Sequence, residues 1–180
     1  MAEGFGVVKA ILEKFNVKLD LSDLDSKIIT QKLTFIFQTL AKEELYKDFS
    51  FYIYGPYSKE LTLDYYSDKI NMNAANLTEK EKSVLDKMYS LLNKKVDKEK
   101  MEIIGSLLFL RLHDNLEWED AYEILLKLKP RLKPEKVVVC MNDAKRLLIT
   151  EDEIKSFNDS IKEEIEDWDR VSNETISKDD

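Results

Sequence analysis

Apolar residues recur three and four positions apart along almost the whole chain, and the spacing gives way to strict alternation most clearly at Phe49–Tyr54. The first spacing is that of one face of an α-helix, the second that of a half-buried strand. Val7, Val8, Ile11, Leu12 and Phe15 mark a first helix, and Leu19–Asp25 reads as a turn rich in capping residues. Ile28 to Ala41 is apolar around most of its circumference, which predicts a buried central helix. Within Phe49–Tyr54, Phe49, Phe51 and Ile53 alternate with Ser50, Tyr52 and Tyr54 in an aromatic, β-branched strand that Gly55-Pro56 is expected to stop.

Further helices follow from the same spacing. Ser58 caps one through Leu61, Leu63, Tyr65 and Tyr66, while Ile70–Asn76 fits either a short strand or a loop. Thr78 and Glu81 form a capping box ahead of Val84, Leu85, Met88, Leu91 and Leu92. The next helix runs from about Asp97 to His113; another, marked by Trp118, Ala121, Tyr122 and Leu125, ends by Pro130; Pro134 opens a third. Thr150 and Glu153 form a second capping box, before Ile154, Phe157, Ile161, Ile165 and Trp168. The resulting expectation is a mainly α, compact multi-helix domain with a small β element. Its helix, helix, strand order gives a winged-helix-like centre. One domain is expected over residues 1–170, with an acidic helix at 151–170 and a disordered tail at 171–180.

Composition narrows the function classes. With 4 Gly and 3 Pro in 180 residues, the chain lacks the turn formers of a many-stranded sandwich or barrel. Its longest strongly apolar stretch, Ile103–Leu112, is interrupted by Ser106 and Arg111, well short of the ~20 residues of a membrane span. Met1-Ala2-Glu3-Gly4 has no basic region leading into an apolar run, so no signal peptide is expected. A lone cysteine, Cys140, fits a reducing cytoplasm. The net charge of −8 resides in residues 151–180, where 12 acids face 4 bases, so the first 150 residues are formally neutral. Acidity of the whole chain therefore says little about the body.

Residues 50–64, a strand running into Gly55-Pro56-Tyr57-Ser58 with Leu61 and Asp64 in the helix behind, resemble a family of small bacterial and archaeal proteins of the YwgA type. More distantly they resemble the Panacea (SocA-like) antitoxin domain, in which a similar strand–Gly–Pro junction follows a Gln-Lys-Leu helix. Here Gln31-Lys32-Leu33 precedes the strand, and Leu107–Arg111 and Leu126–Pro130 also look like the YwgA-type pattern, over roughly residues 25–135. The resemblance implies a compact helical fold with a winged-helix-like centre. It implies no particular activity, since the YwgA-type family has no settled one; Panacea domains bind and neutralise toxins, and this chain departs from them in having Tyr57 after Gly-Pro.

Chemistry-bearing residues are few. Gly55-Pro56-Tyr57-Ser58 is read first as structure, since Gly allows a left-handed backbone angle, Pro fixes the next one and Ser58 caps a helix. Against that stands a recognition surface of Tyr52, Tyr54 and Tyr57, extended by Tyr65 and Tyr66, because tyrosine is favoured at interfaces and for stacking on bases. The run from Lys127 to Lys136, with Lys127, Lys129, Arg131 and Lys133, reads as a solvated turn whose leucines pack inward, or as a dock for phosphate or an acidic surface. His113, the sole histidine, suits a helix C-terminus, and Cys140, after Val137-Val138-Val139, suits a core. No catalytic, cofactor or metal site is read. The expectation is a non-enzymatic, cytoplasmic interaction or regulatory module binding a protein partner; the alternative is a winged-helix-type nucleic-acid binder.

Overall fold

The computed structural model describes residues 4–92, 96–150, 152–156 and 158–163. The chain divides into two compact units, Met1–Leu147 and Leu148–Asp180. The first contains helices α1 (Gly4–Lys14) and α2 (Leu24–Ala41), strands β1 (Ser50–Tyr52) and β2 (Gly55–Tyr57), and helix α3 (Lys59–Tyr65). After a 3-10 turn at Asp68–Asn71 come α4 (Glu79–Leu91), α5 (Lys98–Leu112), α6 (Trp118–Leu128) and all but the last residue of α7 (Pro134–Leu148). The protein is mainly α with a small antiparallel sheet, and the helix, helix, β order anticipated from the sequence is present. No helix among the described residues is long and apolar enough to cross a membrane.

Two helices lie at the centre. α2 packs against α1, α4, α5 and β2, and α5 packs against α2, α6 and β2. This explains why both are apolar on nearly every side: Leu33, Ile36 and Phe37 of α2 and Met101–Leu110 of α5 are all buried. Outer helices carry only a stripe, as in α7, where Val137, Cys140, Ala144 and Leu147 are buried. Each fully buried aliphatic side chain contributes about 1.5–3 kcal/mol, so the two central helices supply much of the stability. With so few glycines, helices end on other residues in the left-handed region: Asn16, Lys42 and Asn115 all have positive φ.

Helix starts follow the capping chemistry of the sequence. Asp23 accepts from the Asp25 and Ser26 amides, Thr78 and Glu81 close a reciprocal capping box, Asp97 caps α5, and Pro134 occupies the first turn of α7. The second unit, by itself, is helical over residues 152–156 and 158–163 and opens on the expected box. There the Glu153 amide donates to Thr150 Oγ1 at 3.2 Å and the Glu153 carboxylate accepts from the Thr150 amide at 2.7 Å. Phe157, Ile165, Trp168 and the tail expected at 171–180 lie outside the described residues.

One element differs from expectation. Gly55-Pro56 does not stop the strand; it is the return strand of a hairpin, with Ser50 opposite Tyr57, Phe51 opposite Pro56 and Tyr52 opposite Gly55. Ile53-Tyr54 forms the turn, and neither residue has a positive φ. The left-handed residue comes next, at Gly55 with φ 84°, where a hairpin closed by such a turn takes glycine. Pro56 is tolerated because a two-stranded sheet has only edges. Phe49 and Phe51 do face inward, onto Phe35 at 5.2 Å and Phe109 at 5.6 Å between ring centroids. Ile53, at the turn, is 70 % exposed. The segment after α3, open to a strand or a loop in the sequence, is the 3-10 turn followed by irregular chain held by the Ala75 amide on the Gly6 carbonyl.

Candidate functional site

The hairpin, α2 and α3 enclose a cavity of about 300 Å³. α2 supplies Leu24, Lys27, Ile28, Gln31 and Lys32, spaced so that one helical face lines the wall. The hairpin supplies Tyr52, Tyr54, Gly55 and Tyr57, and α3 supplies Thr62 and Tyr65, with Tyr66 at its end. Tyr52 and Tyr57 pair at 5.6 Å between centroids on the hairpin side, and Tyr65 and Tyr66 at 5.7 Å on the α3 side. All five tyrosines singled out in the sequence therefore meet around one space, two of them reaching well into solvent: Tyr52 is 62 % and Tyr66 59 % exposed.

Gln31 sets the deeper wall. Its amide nitrogen donates to the Ser58 carbonyl and the Tyr65 hydroxyl, each at 2.9 Å, and its oxygen accepts from the Ser58 amide at 2.8 Å. Ser58, fully buried, hydrogen-bonds the Asp48 carboxylate and caps α3 through the Leu61 amide. These bonds weld the Gly-Pro-Tyr-Ser junction to α2, satisfying polar groups that burial would otherwise make costly. Burial pushes the Tyr65 hydroxyl pKa up.

Lys32 is the unusual residue. It is 2 % exposed, runs across Gly105, and donates to the Pro56 carbonyl at 2.6 Å. A Cβ at Gly105 would stand 3.2 Å from Lys32 Cδ and 3.4 Å from Pro56 Cγ, so glycine inside α5 serves this close approach. Burial lowers the Lys32 pKa to about 7; the charge of Lys129 adds to the shift and that of Glu102 opposes it. Nearer the mouth, Lys27 donates to the Leu21 carbonyl at 3.1 Å and the Tyr66 hydroxyl at 3.4 Å. Among the described residues no carboxylate lines the cavity.

The basic run is surface only in part: Lys127, Arg131 and Lys133 are exposed and Lys129 is not. Lys129 is 5 % exposed, so it is no surface group: its ammonium meets Glu102 Oε1 at 2.6 Å and the Ile53 carbonyl at 2.6 Å. Arg131 bonds the same Glu102 oxygen and lies 5.9 Å over the Tyr54 ring. The physical reason is Glu102, a fully buried carboxylate that draws Lys129 inside and ties Arg131, whose side chain stays 50 % exposed, against the hairpin turn. Burial alone would raise the Glu102 pKa, but the bonds from Arg131 and Lys129 hold it below the usual range. Lys127 remains exposed, 3.5 Å from Glu123, and Lys133 is exposed ahead of α7; neither lines the cavity. Leu132 packs inward as expected, whereas Leu128 is 57 % exposed.

His113 caps α5 and stacks on Phe109 at 4.3 Å. Cys140 is buried in the α7 stripe, and burial pushes its thiol up to about 11 against the opposing charge of Lys100 and Lys136. In native protein at about pH 8 its thiol should therefore react with a disulfide reagent far more slowly than a free thiol of pKa ≈ 8.5, and at the ordinary rate once unfolded. Full labelling of folded protein within minutes would contradict that placement.

Comparison of the chain with protein-family models, with curated proteins and with solved structures finds no match. Sequence reasoning found the tyrosines but missed Lys27 and Glu102, and it treated Gln31 and Lys32 only as part of a motif. A signal was present: Lys32 interrupts an otherwise apolar helix face, and Glu102 stands between Met101 and Ile103.

Proposed function

We propose that the chain is a non-enzymatic interaction module that binds a protein partner at the tyrosine-lined cavity. The observation that carries this reading is the convergence of Tyr52, Tyr54, Tyr57, Tyr65 and Tyr66, from two separate elements, on one half-open space. Tyrosines give large contact area at small entropic cost and dominate the energetics of many interfaces. Exposed Leu24, Tyr52, Ile53 and Tyr66 extend the apolar surface at the mouth and the adjoining turn. The resemblance to Panacea domains, which act through protein contacts, points the same way.

A catalytic reading has less to stand on. His113 and Cys140 are absent from the lining, and Lys32 is covered and bonded to a backbone carbonyl. The nucleic-acid alternative drew on the basic run, but Lys129 and Arg131 are engaged by Glu102, and Lys127 and Lys136 face Glu123 and Glu99. Phosphate binding depends on basic surface of that kind. A photo-crosslinking residue placed at Tyr52 or Tyr66 in living cells should capture one defined protein. The same residue at Lys127, equally exposed but outside the cavity, should not. Equal capture at all three positions, or none at Tyr52 and Tyr66, would remove the reading.

A further inference from the structure

The charges around the cavity are unbalanced. Lys32 lies on the lining, bonded to the Pro56 carbonyl, while Lys129, Arg131 and the carboxylate they share, Glu102, lie off it. Lys27 adds a further cation at the mouth, bonded to a carbonyl and a hydroxyl. The hairpin and α3 contribute tyrosines and no acid to the lining. Asp48 caps the Ser58 and Glu60 groups of α3, and Asp25 faces Lys98. Neither is on the lining.

From this arrangement we infer that the cavity takes an aromatic side chain from an acidic segment of the partner, the ring entering between the tyrosine pairs and a neighbouring carboxylate meeting Lys27 at the mouth. The inference rests on the interaction-module reading and names its partner class. The tyrosine pairs on the hairpin and α3 sides offer ring faces and edges, which suit another aromatic ring in stacked or edge-on contact. A cavity of about 300 Å³ has room for one such side chain. A basic segment would bring cations toward Lys27 and Lys32 with no lining acid to receive them. A purely aliphatic one would leave Lys27 without a carboxylate partner.

Titration supports the same polarity. The charged groups acting on Lys32 are Lys129, from the turn after α6, and Glu102, from α5. Burial, with the charge of Lys129 adding to it, lowers the Lys32 pKa to about 7. A bound carboxylate favours its protonated form, so an anionic ligand should bind with proton uptake and more tightly as pH falls.

Three blocked peptides test the inference by NMR titration of the full chain at up to about 1 mM peptide, where weak binding is still measurable. They are acetyl-Asp-Glu-Trp-Asp-Glu-amide, its basic counterpart with Lys and Arg at the acidic positions, and the acidic peptide with Ala for Trp. The acidic tryptophan peptide should bind at least ~10-fold more tightly than either other, as expected when steering charge and ring burial both contribute. Its affinity should fall between about 50 and 300 mM salt and between about pH 6 and pH 8.5. Tyr52→Ala should erase the preference for Trp. Lys27→Ala should weaken the preference for acid, and Lys32→Met, once its NMR spectrum shows it folded, should flatten the pH dependence. Equal or better binding of the basic peptide, or no discrimination while cross-linking at Tyr52 persists, overturns the acidic-aromatic class and leaves the interaction module standing. Loss of that cross-linking as well removes the reading beneath it, and the inference with it.

Discussion

Replacing Glu102 with alanine is expected to lower the unfolding free energy by about 3–5 kcal/mol, the usual cost of removing one partner from a buried ion pair. Glu102 is fully buried; without it Lys129, itself almost covered, and Lys32 become cations with no acid beside them. Urea denaturation of Glu102→Ala measures the loss. The combination Glu102→Ala, Lys129→Met, Arg131→Met should recover most of it, since the cost arises from stranded charge more than from lost volume. A loss below about 1 kcal/mol for the single variant would mean that water reaches the cluster and relieves it.

The cluster also sets a pH dependence. Glu102 is held below its ordinary pKa, so its contribution is present above the unfolded-state value and is lost as pH falls through the folded one. Lys32 acts in the opposite range. Its folded pKa is lowered from 10.5 to about 7, so between those values the unfolded chain binds more protons and stability rises with pH. The penalty for charging Lys32 is fully present below pH 7 or so and is relieved as pH climbs toward its unfolded value. Lys129, also lowered by burial, adds in the same direction. Lys32→Met should flatten the rise in denaturation midpoint between about pH 7 and 10; an unchanged slope would show that Lys32 is solvated.

Gly55→Val is expected to cost about 3–4 kcal/mol, combining left-handed backbone strain with overpacking, each typically about 1–3 kcal/mol. Gly55 has φ 84°, closed to a branched residue, and a Cβ there would stand 2.3 Å from Ser106 Oγ, inside any allowed contact. Ser106 is fully buried on the central helix. The hairpin would have to lift from α5, carrying Tyr52, Tyr54 and Tyr57 away from α2. Loss of cavity binding should therefore accompany the loss of stability. A denaturation midpoint within error of the parent would mean that this junction bends freely.

Gly55 was legible in part. A glycine before proline after an aromatic run announces a special backbone angle, and the structure has one. The direction of the chain afterwards was not legible, because a tripeptide strand such as Gly-Pro-Tyr carries no alternation to detect. Its pairing comes from a neighbouring strand and from the bonds of Gln31 and Lys32 to the Ser58 and Pro56 backbone. The basic run misled for a similar reason. Charge density along a sequence suggests surface, yet Lys129 is drawn inside by Glu102, 27 residues earlier.

By itself the sequence determined the mainly helical class, the central place of α2, the helix ends with their caps, and the presence of one β element. Those properties depend on periodicity and on neighbours a few residues apart, and local spacing encodes them. Only the tertiary structure decided that five tyrosines share one cavity, that two lysines line it with no acid among the described residues, and that Glu102 draws two cations of the basic run against the hairpin turn. Those outcomes depend on side chains tens of residues apart being brought within a few ångströms. Burial then changes what each group is: Lys32 in water is a fixed charge, and on the floor of this cavity it is a titrating one.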